Sequence, residues 1–355
     1  MPKYIIHIGP PKTGSKYIQS QLFHLREFLQ TKGILYPDIW WSRPDKIMHD
    51  SVFEDLKAGR DLKAGFDQLN ASGADKIVLS CEALDGLARP LRAFPGLTVS
   101  PLERLREYIS GNSVDIIYYA RRWSDRIPSD WRQQVMMGQY QTFPEYYIKF
   151  MNNPEETGQI NYSKVWEHFE KIFGRESLKI VSFSNLVDDR VDLFEHFCKL
   201  ILGLHEAPKI EEGLIQKNVG YDMIDTEILR GINYIYRTKT SLDDYSMRIK
   251  FGKLKDSYNL KTLRDHLEAN MRTIELRDNA VPLRTTWQAV NGYRDRLVSP
   301  EYGHDVFDRR DVSVEFVGQD YLLKSSALAA MLKFYDFLAS ATVEDPDLPI
   351  SIGHS

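Results

Sequence analysis

The chain has 355 residues, 43% of them hydrophobic, enough for one large α/β domain or one plus a helical appendage. Its net charge of −4 argues against a general binder of nucleic acid or anionic membrane. The two cysteines, Cys81 and Cys198, lie far apart with no C-x-x-C pair, so neither a zinc site nor a disulfide framework is suggested. "KYIIHIG", Lys3 to Gly9, is a short β-branched run ending in glycine and predicts a buried strand. The chain enters it directly, with no signal peptide and no apolar run of membrane-spanning length, so a cytoplasmic protein without a transmembrane segment is expected. "KYIQSQLFHLREFLQTKG" then sets Ile18, Leu22, Leu25 and Leu29 on one helical face, with Gly33 at the stop.

Between that strand and that helix stands "GPPKTGS", Gly9 to Ser15. Free N–H groups and the dipole at a helix start favour an anion, and Gly9 and Gly14 let backbone approach a ligand closely. The two glycines have the spacing of the nucleotide loop G-x-x-x-x-G-K-[ST], but Ser15 stands where its lysine belongs. Lys16 is followed by Tyr17 rather than by a hydroxyl for magnesium, and the other lysine, Lys12, comes before the second glycine. The plain alternative is a βα turn that happens to be glycine-rich.

Further along, "KIVLSC" (Lys76–Cys81), "VDIIYYA" (Val114–Ala120) and "SLKIVSF" (Ser177–Phe183) predict strands. Helical patterns separate them at Leu102–Ile109, Asp125–Met137 and Tyr162–Phe173, and "RVDLFEHFCKLILG" follows the last. Strands alternating with helices predict a parallel sheet with ligand sites at the carboxyl ends of its strands. From about Met223 the pattern turns helical through "MIDTEILRGINYIYR", "LKTLRDHLEANMRTIELR" and "YLLKSSALAAMLKFYDFL". "YSMRIKFGKL" is a candidate exception, and the tail "VEDPDLPISIGHS" is expected to be poorly ordered.

After the third predicted strand comes "ARRWSDRIPSDWRQQ", in which Arg121 and Ser129 lie eight residues apart with Asp125 between them. A guanidinium fork at a strand end and a hydroxyl on the next helix can hold one phosphate together. A solvated, charged helix start is the plain alternative.

Pro11-Lys12-Thr13-Gly14-Ser15 closely resembles the "PKTGT" 5′-phosphosulfate loop of sulfotransferases that use 3′-phosphoadenosine 5′-phosphosulfate (PAPS). Arg121 and Ser129 have the spacing with which that family holds the 3′-phosphate. "KGILYPD", His49, "IVLSCEAL", "YSKVWEHFEKIFGRESLKIVSF" and "KNVGYDMIDTEILRGIN" resemble further landmarks of the bacterial members, over roughly the first two-thirds of the chain. Lys16 departs from a usual hydroxyl residue, and Gly220 from a usual serine.

The resemblance implies a P-loop-like three-layer α/β fold with a central parallel sheet and a helical C-terminal extension. Residues 1–240 would form the PAPS-binding core. The segment after about Asp243 matches no landmark of the family, and residues 241–355 are expected to form a mainly helical extension packed on the core and facing the acceptor. It implies sulfuryl transfer from PAPS to an acceptor hydroxyl, with no metal required and no nucleic-acid partner. Carbohydrate or glycolipid is the favoured acceptor; a peptide tyrosine or a lipid or polyketide hydroxyl is the alternative. Lys12, Thr13, Gly14, Ser15 and Lys16 would bind the sulfate end, with Lys12 also catalytic, and Arg121 and Ser129 the 3′-phosphate. Lys16 either adds a second charge or faces solvent. Glu82, just past the second predicted strand, fits the family's glutamate base, and His49 is its rival as base or acceptor ligand. His7 reads as a core histidine. The aromatic stretches Trp40–Trp41 and Gln139–Phe150 suit either packing or a sugar face. Two other classes compete. One is a P-loop kinase or ATPase, which lacks its Gly-Lys-Ser/Thr core here; the other is a nucleotide-binding module without turnover.

Overall fold

A computed structural model of the chain describes residues 1–41, 47–152, 162–205, 221–239, 244–276, 292–296, 298, 312–317 and 325–340. By their contacts the residues divide into two compact units. The first comprises Met1–Arg126, Met151–Val219 and Arg277–Arg310, and the second Ile127–Phe150, Gly220–Leu276 and Asp311–Ser355. This division follows contacts, whereas the expected cut at 240 follows the resemblance. Helix Trp123–Met136 runs from one unit into the other. Gly220, Lys217–Val219 and the C-terminal tail lie outside the described residues.

The first unit is built on five parallel strands: β1 (Lys3–Ile8), β2 (Ile34–Leu35), β3 (Lys76–Ser80), β4 (Val114–Ala120) and β5 (Leu178–Ser182), in the order β2-β3-β1-β4-β5. Four of these are the sequence-predicted strands; β2 was hidden in "KGILYPD", too short to show a period. Strand residues alternate between the two faces. Ile5, Val78, Ile117, Tyr119 and Val181 face one layer, where they share a core with Ile18, Leu22, Leu29, Phe194, Phe197 and Leu202. Tyr4 and Tyr118 face the other, against Phe66 and Trp166. Helices on both faces explain why β1 is buried almost end to end, as parallel strands usually are. The result is the three-layer α/β fold. Trp40 packs on Phe66 at 4.6 Å between ring centres and Trp41 on Phe23 at 5.3 Å, so both tryptophans serve packing.

The β1–helix junction sets the loop. Gly9 has φ +149°, and a Cβ there would lie 3.4 Å from the backbone of Tyr119 on β4. Gly14 has φ +76° as the residue before helix Ser15–His24, and a Cβ there would lie 2.5 Å from Leu193. Only glycine meets both conditions without strain. Lys12 is also left-handed, at φ +70°, which costs a non-glycine residue conformational energy.

The second unit contains most of helix Phe143–Asn152, helices Met223–Lys239, Asp244–Leu254, Lys261–Glu268 and Ser325–Ser340, and two antiparallel strands, β6 (Met271–Leu276) and β7 (Val312–Val317). "YSMRIKFGKL" is thus helix, not strand. "LKTLRDHLEANMRTIELR", expected to be helical throughout, is helix only to Glu268 and then strand. Here Glu227 is fully buried; its carboxylate accepts Arg230 Nε at 2.6 Å and the Val317 N–H at 3.1 Å. Asn233 donates to the Val135 and Gln139 carbonyls at 2.8 and 2.9 Å.

Candidate active site

Parallel register brings the ends of β1, β3 and β4 to one edge, with Ile6 beside Leu79 and Ile116. From that edge leave the glycine loop, the 3₁₀ turn Glu82–Leu87 and the segment that starts at Arg121. The site is therefore assembled by topology from residues far apart in sequence.

Within the loop, Thr13 is buried and its hydroxyl donates to the Pro10 carbonyl at 2.8 Å. That bond closes the turn and leaves the backbone N–H groups at the helix start for an anion. Ser15 is also buried, 3.4 Å from the Thr13 hydroxyl. Its hydroxyl, Lys16 and Lys12 are all near enough to act on the Glu82 carboxylate. Burial pushes the Glu82 carboxyl above its ordinary range; Lys16, the Ser15 hydroxyl and Lys12 pull it back. Lys16 is exposed, yet its charge is the largest of these opposing influences. Four residues singled out from sequence, Lys12, Ser15, Lys16 and Glu82, thus form one cluster.

Arg121 joins the loop from β4. Its Nη1 donates to the Lys12 carbonyl at 2.7 Å, and its guanidinium lies 5.5 Å over the Phe183 ring. Its neighbour Arg122 is buried in a different network: Nε donates to Asp125 at 3.0 Å and Nη2 to Asp188 at 2.5 Å. Ser184 bridges it, accepting the Arg122 N–H at 3.1 Å and donating to Asp125 at 2.7 Å. Arg122 and Asp125 therefore fasten the chain as it leaves β4. Ser129 is buried on helix Trp123–Met136, in the part belonging to the second unit.

His49 is buried with both ring nitrogens engaged by backbone. Nδ1 accepts the Ser80 N–H at 3.0 Å, and Nε2 lies 2.8 Å from the Pro37 carbonyl, to which it donates. Burial lowers its pKa to about 4, against the pull of the Pro37 carbonyl, and the Ser80 N–H donated to Nδ1 suits the uncharged form, so the ring is neutral and has no lone pair left over. It ties the preceding segment to the end of β3 immediately before Cys81 and Glu82. His7 is buried in the core beside Tyr119 and Phe197, 2.9 Å from the Ser80 hydroxyl.

Sequence reading missed Asp85, Arg126 and Tyr162. Arg126 donates to the Tyr162 hydroxyl at 2.8 Å, and Tyr162 donates to the Arg121 carbonyl at 3.0 Å. The available signal was Asp85 three residues after Glu82 in "CEALDGL". Among the described residues there is no cluster of three or more His, Cys, Asp or Glu side chains that could hold a metal ion. None of the described helices is long and apolar enough to cross a membrane.

A crystal structure of a sulfotransferase from Alicyclobacillus acidocaldarius is similar at 16% identity and a TM-score of 0.36, over 60% of this chain and 88% of that one. No curated protein matches the chain. The family model for the sulfotransferase domain matches residues 2–189, a span that takes in the glycine loop, Glu82 and the Arg121–Ser129 segment. With more than half of its length matched, the chain belongs to the sulfotransferase domain family.

Proposed function

We propose that the protein moves a sulfuryl group from PAPS to a hydroxyl of a carbohydrate or glycolipid acceptor, with Glu82 as the base. The observation that carries this reading is the place of Glu82 directly after β3, on the sheet edge where the glycine loop leaves β1, with Lys16, Ser15 and Lys12 near enough to act on its carboxylate. A base beside an anion loop is the arrangement in-line transfer requires, since the acceptor proton leaves as the transferred group is held.

In this reading Lys12 and the backbone N–H groups of residues 13–15 hold the 5′-phosphate. Gly14 keeps the loop in this shape, since its left-handed φ and the Leu193 side chain, 2.5 Å from where a Cβ would stand, both exclude a larger residue. The acceptor oxygen forms the new bond to sulfur, and its proton passes to Glu82. The bond between sulfur and the 5′-phosphate oxygen breaks, and its electron pair leaves on the phosphate, where Lys12 stabilises the charge. Lys16 offsets charge on the base side. PAPS carries a good leaving group, so no divalent metal is needed. Arg121 and Ser129 are assigned to the 3′-phosphate on their spacing along the chain and on the family resemblance. The doubly engaged ring of His49 supports Glu82 over His49 as base.

The test is transfer of labelled sulfate from PAPS to glycan, lipid and peptide extracts, with a metal chelator present. Label in glycans or glycolipids is the expected result. Label only in peptide or lipid would keep the transferase and replace the acceptor. Magnesium-dependent ATP turnover with no sulfate transfer would overturn the reading.

A further inference from the structure

The turn that follows β3 carries a second carboxyl beside the first. In a 3₁₀ helix side chains three positions apart eclipse, and Glu82–Leu87 is such a turn. Glu82 and Asp85 therefore share one face of it, and both are only partly exposed. Their other neighbours differ. Glu82 faces Lys16, Ser15 and Lys12 of the anion loop. Asp85 lies within electrostatic reach of Arg126 of helix Trp123–Met136, the Gly86 N–H, Arg89 beyond the turn and Tyr118 of β4. Helix Asp50–Lys57 packs on the same turn, with Phe53 against Gly86, and its Asp50 acts on Cys81. Arg126 is itself held by Tyr162, the residue that donates to the Arg121 carbonyl.

We propose that Asp85 is a positioning residue for the transfer: Glu82 and Asp85 hold one proton between them, and Asp85 carries it while Glu82 stands ionised as the base. This rests on the reading of Glu82 given above. Two carboxyls on one face of a partly buried turn cannot both ionise without mutual cost. Lys16 and Lys12 both stand on the Glu82 side, so Glu82 ionises first. Burial raises Asp85 to about 7; Arg126, the Gly86 N–H and Arg89 oppose this, and the Glu82 charge adds to it. When the acceptor proton reaches Glu82, the negative charge there vanishes and Asp85 releases its own proton to solvent. The pair holds one proton before and after, and Glu82 is kept anionic until the moment it is used. Such a pair titrates as a unit.

Carbon-13 NMR of protein labelled at aspartate carboxyls tests this without turnover. One aspartate should titrate near pH 7, the signal should be absent in Asp85→Asn, and in Glu82→Gln it should move to lower pH. The kcat profile of the native enzyme should change once as Glu82 protonates in acid and again near pH 7 as Asp85 ionises, and Asp85→Asn should keep the first change and lack the second. An aspartate titration unmoved by Glu82→Gln, or superimposable pH profiles, would overturn the proposal. If Asp85→Asn does not fold, the Glu82→Gln titration still decides. Turnover of Glu82→Gln is a separate reading: normal turnover there removes Glu82 as base, whatever the titration does.

Discussion

Arg121 Nη1 donates to the carbonyl oxygen of Lys12 across 2.7 Å, joining the end of β4 to the tip of the anion loop. Lys12 is the loop's left-handed residue, at φ +70°, and a conformation of that kind persists only where the surroundings fix it. The arginine therefore acts on the loop's shape as well as on any phosphate its other nitrogens reach.

Arg121→Ala is accordingly expected to weaken two ligands, not one. Calorimetry with adenosine 3′,5′-bisphosphate should show a loss of about one to two orders of magnitude, the size of a charge-assisted hydrogen bond. Adenosine 5′-phosphosulfate, which lacks the 3′-phosphate, should also weaken, by less. Unchanged binding of the second ligand would show that the Lys12 bond does not shape the site.

Four of the five core strands were legible because each is an apolar, β-branched run bounded by turn residues. β2 was not, since two residues carry no period. β6 was not, because its side chains are mostly outside the core and show little hydrophobic alternation. Gly9 and Gly14 marked the loop as a turn that only glycine fits, and both are left-handed in the fold. The left-handed Lys12 was not legible, as nothing in a lysine announces it. Glu82 was readable from its place after β3. Asp85 needed the 3₁₀ geometry of the turn before its three-residue spacing meant anything. His49 was read as a candidate base because sequence cannot say which backbone groups will occupy its nitrogens.

Gly14→Ala should damage binding and stability together. A left-handed alanine costs roughly 1–2 kcal/mol. The new Cβ would stand 2.5 Å from Leu193 Cδ1 and 3.2 Å from the Phe183 ring, so the helix start must move away from its place. Urea denaturation should show the stability loss, and bisphosphate affinity should fall by more than that loss explains. Native affinity in the variant would place the anion elsewhere.

Glu82→Gln keeps the shape of the side chain and removes its basicity. Turnover should fall by about 10²–10⁴ while bisphosphate affinity holds, because no phosphate contact is assigned to Glu82. His49→Ala should do the opposite. It strands the buried Ser80 N–H and Pro37 carbonyl, each worth about 1–3 kcal/mol, yet leaves turnover per folded molecule near native. If the histidine variant is folded and inactive while the glutamine variant is active, the base is His49.

Stability should respond to acid through groups with opposite signs. His7, lowered to about 3, and His49, lowered to about 4, both by burial, stay neutral in the fold while the unfolded chain protonates them below about pH 6.5. Their contribution is present above that pH and is lost as pH falls toward 4. Asp85, raised to about 7 chiefly by burial, holds a proton in the fold that the unfolded chain has released above about pH 4. Its contribution is present in acid and is lost as pH rises toward 7. Between pH 4 and 6.5 Asp85 therefore offsets one of the two histidines. Asp85→Asn removes that offset, and its stability should fall more steeply with acid than the native protein's, by about 1.4 kcal/mol per pH unit. His49→Gln should flatten the fall by the same amount, whatever it does to the stability at neutral pH. Urea melts of the three proteins at pH 5.0, 5.75 and 6.5 measure the slopes directly. Parallel slopes for the native protein and Asp85→Asn would mean that Asp85 ionises in the fold as it does in the unfolded chain.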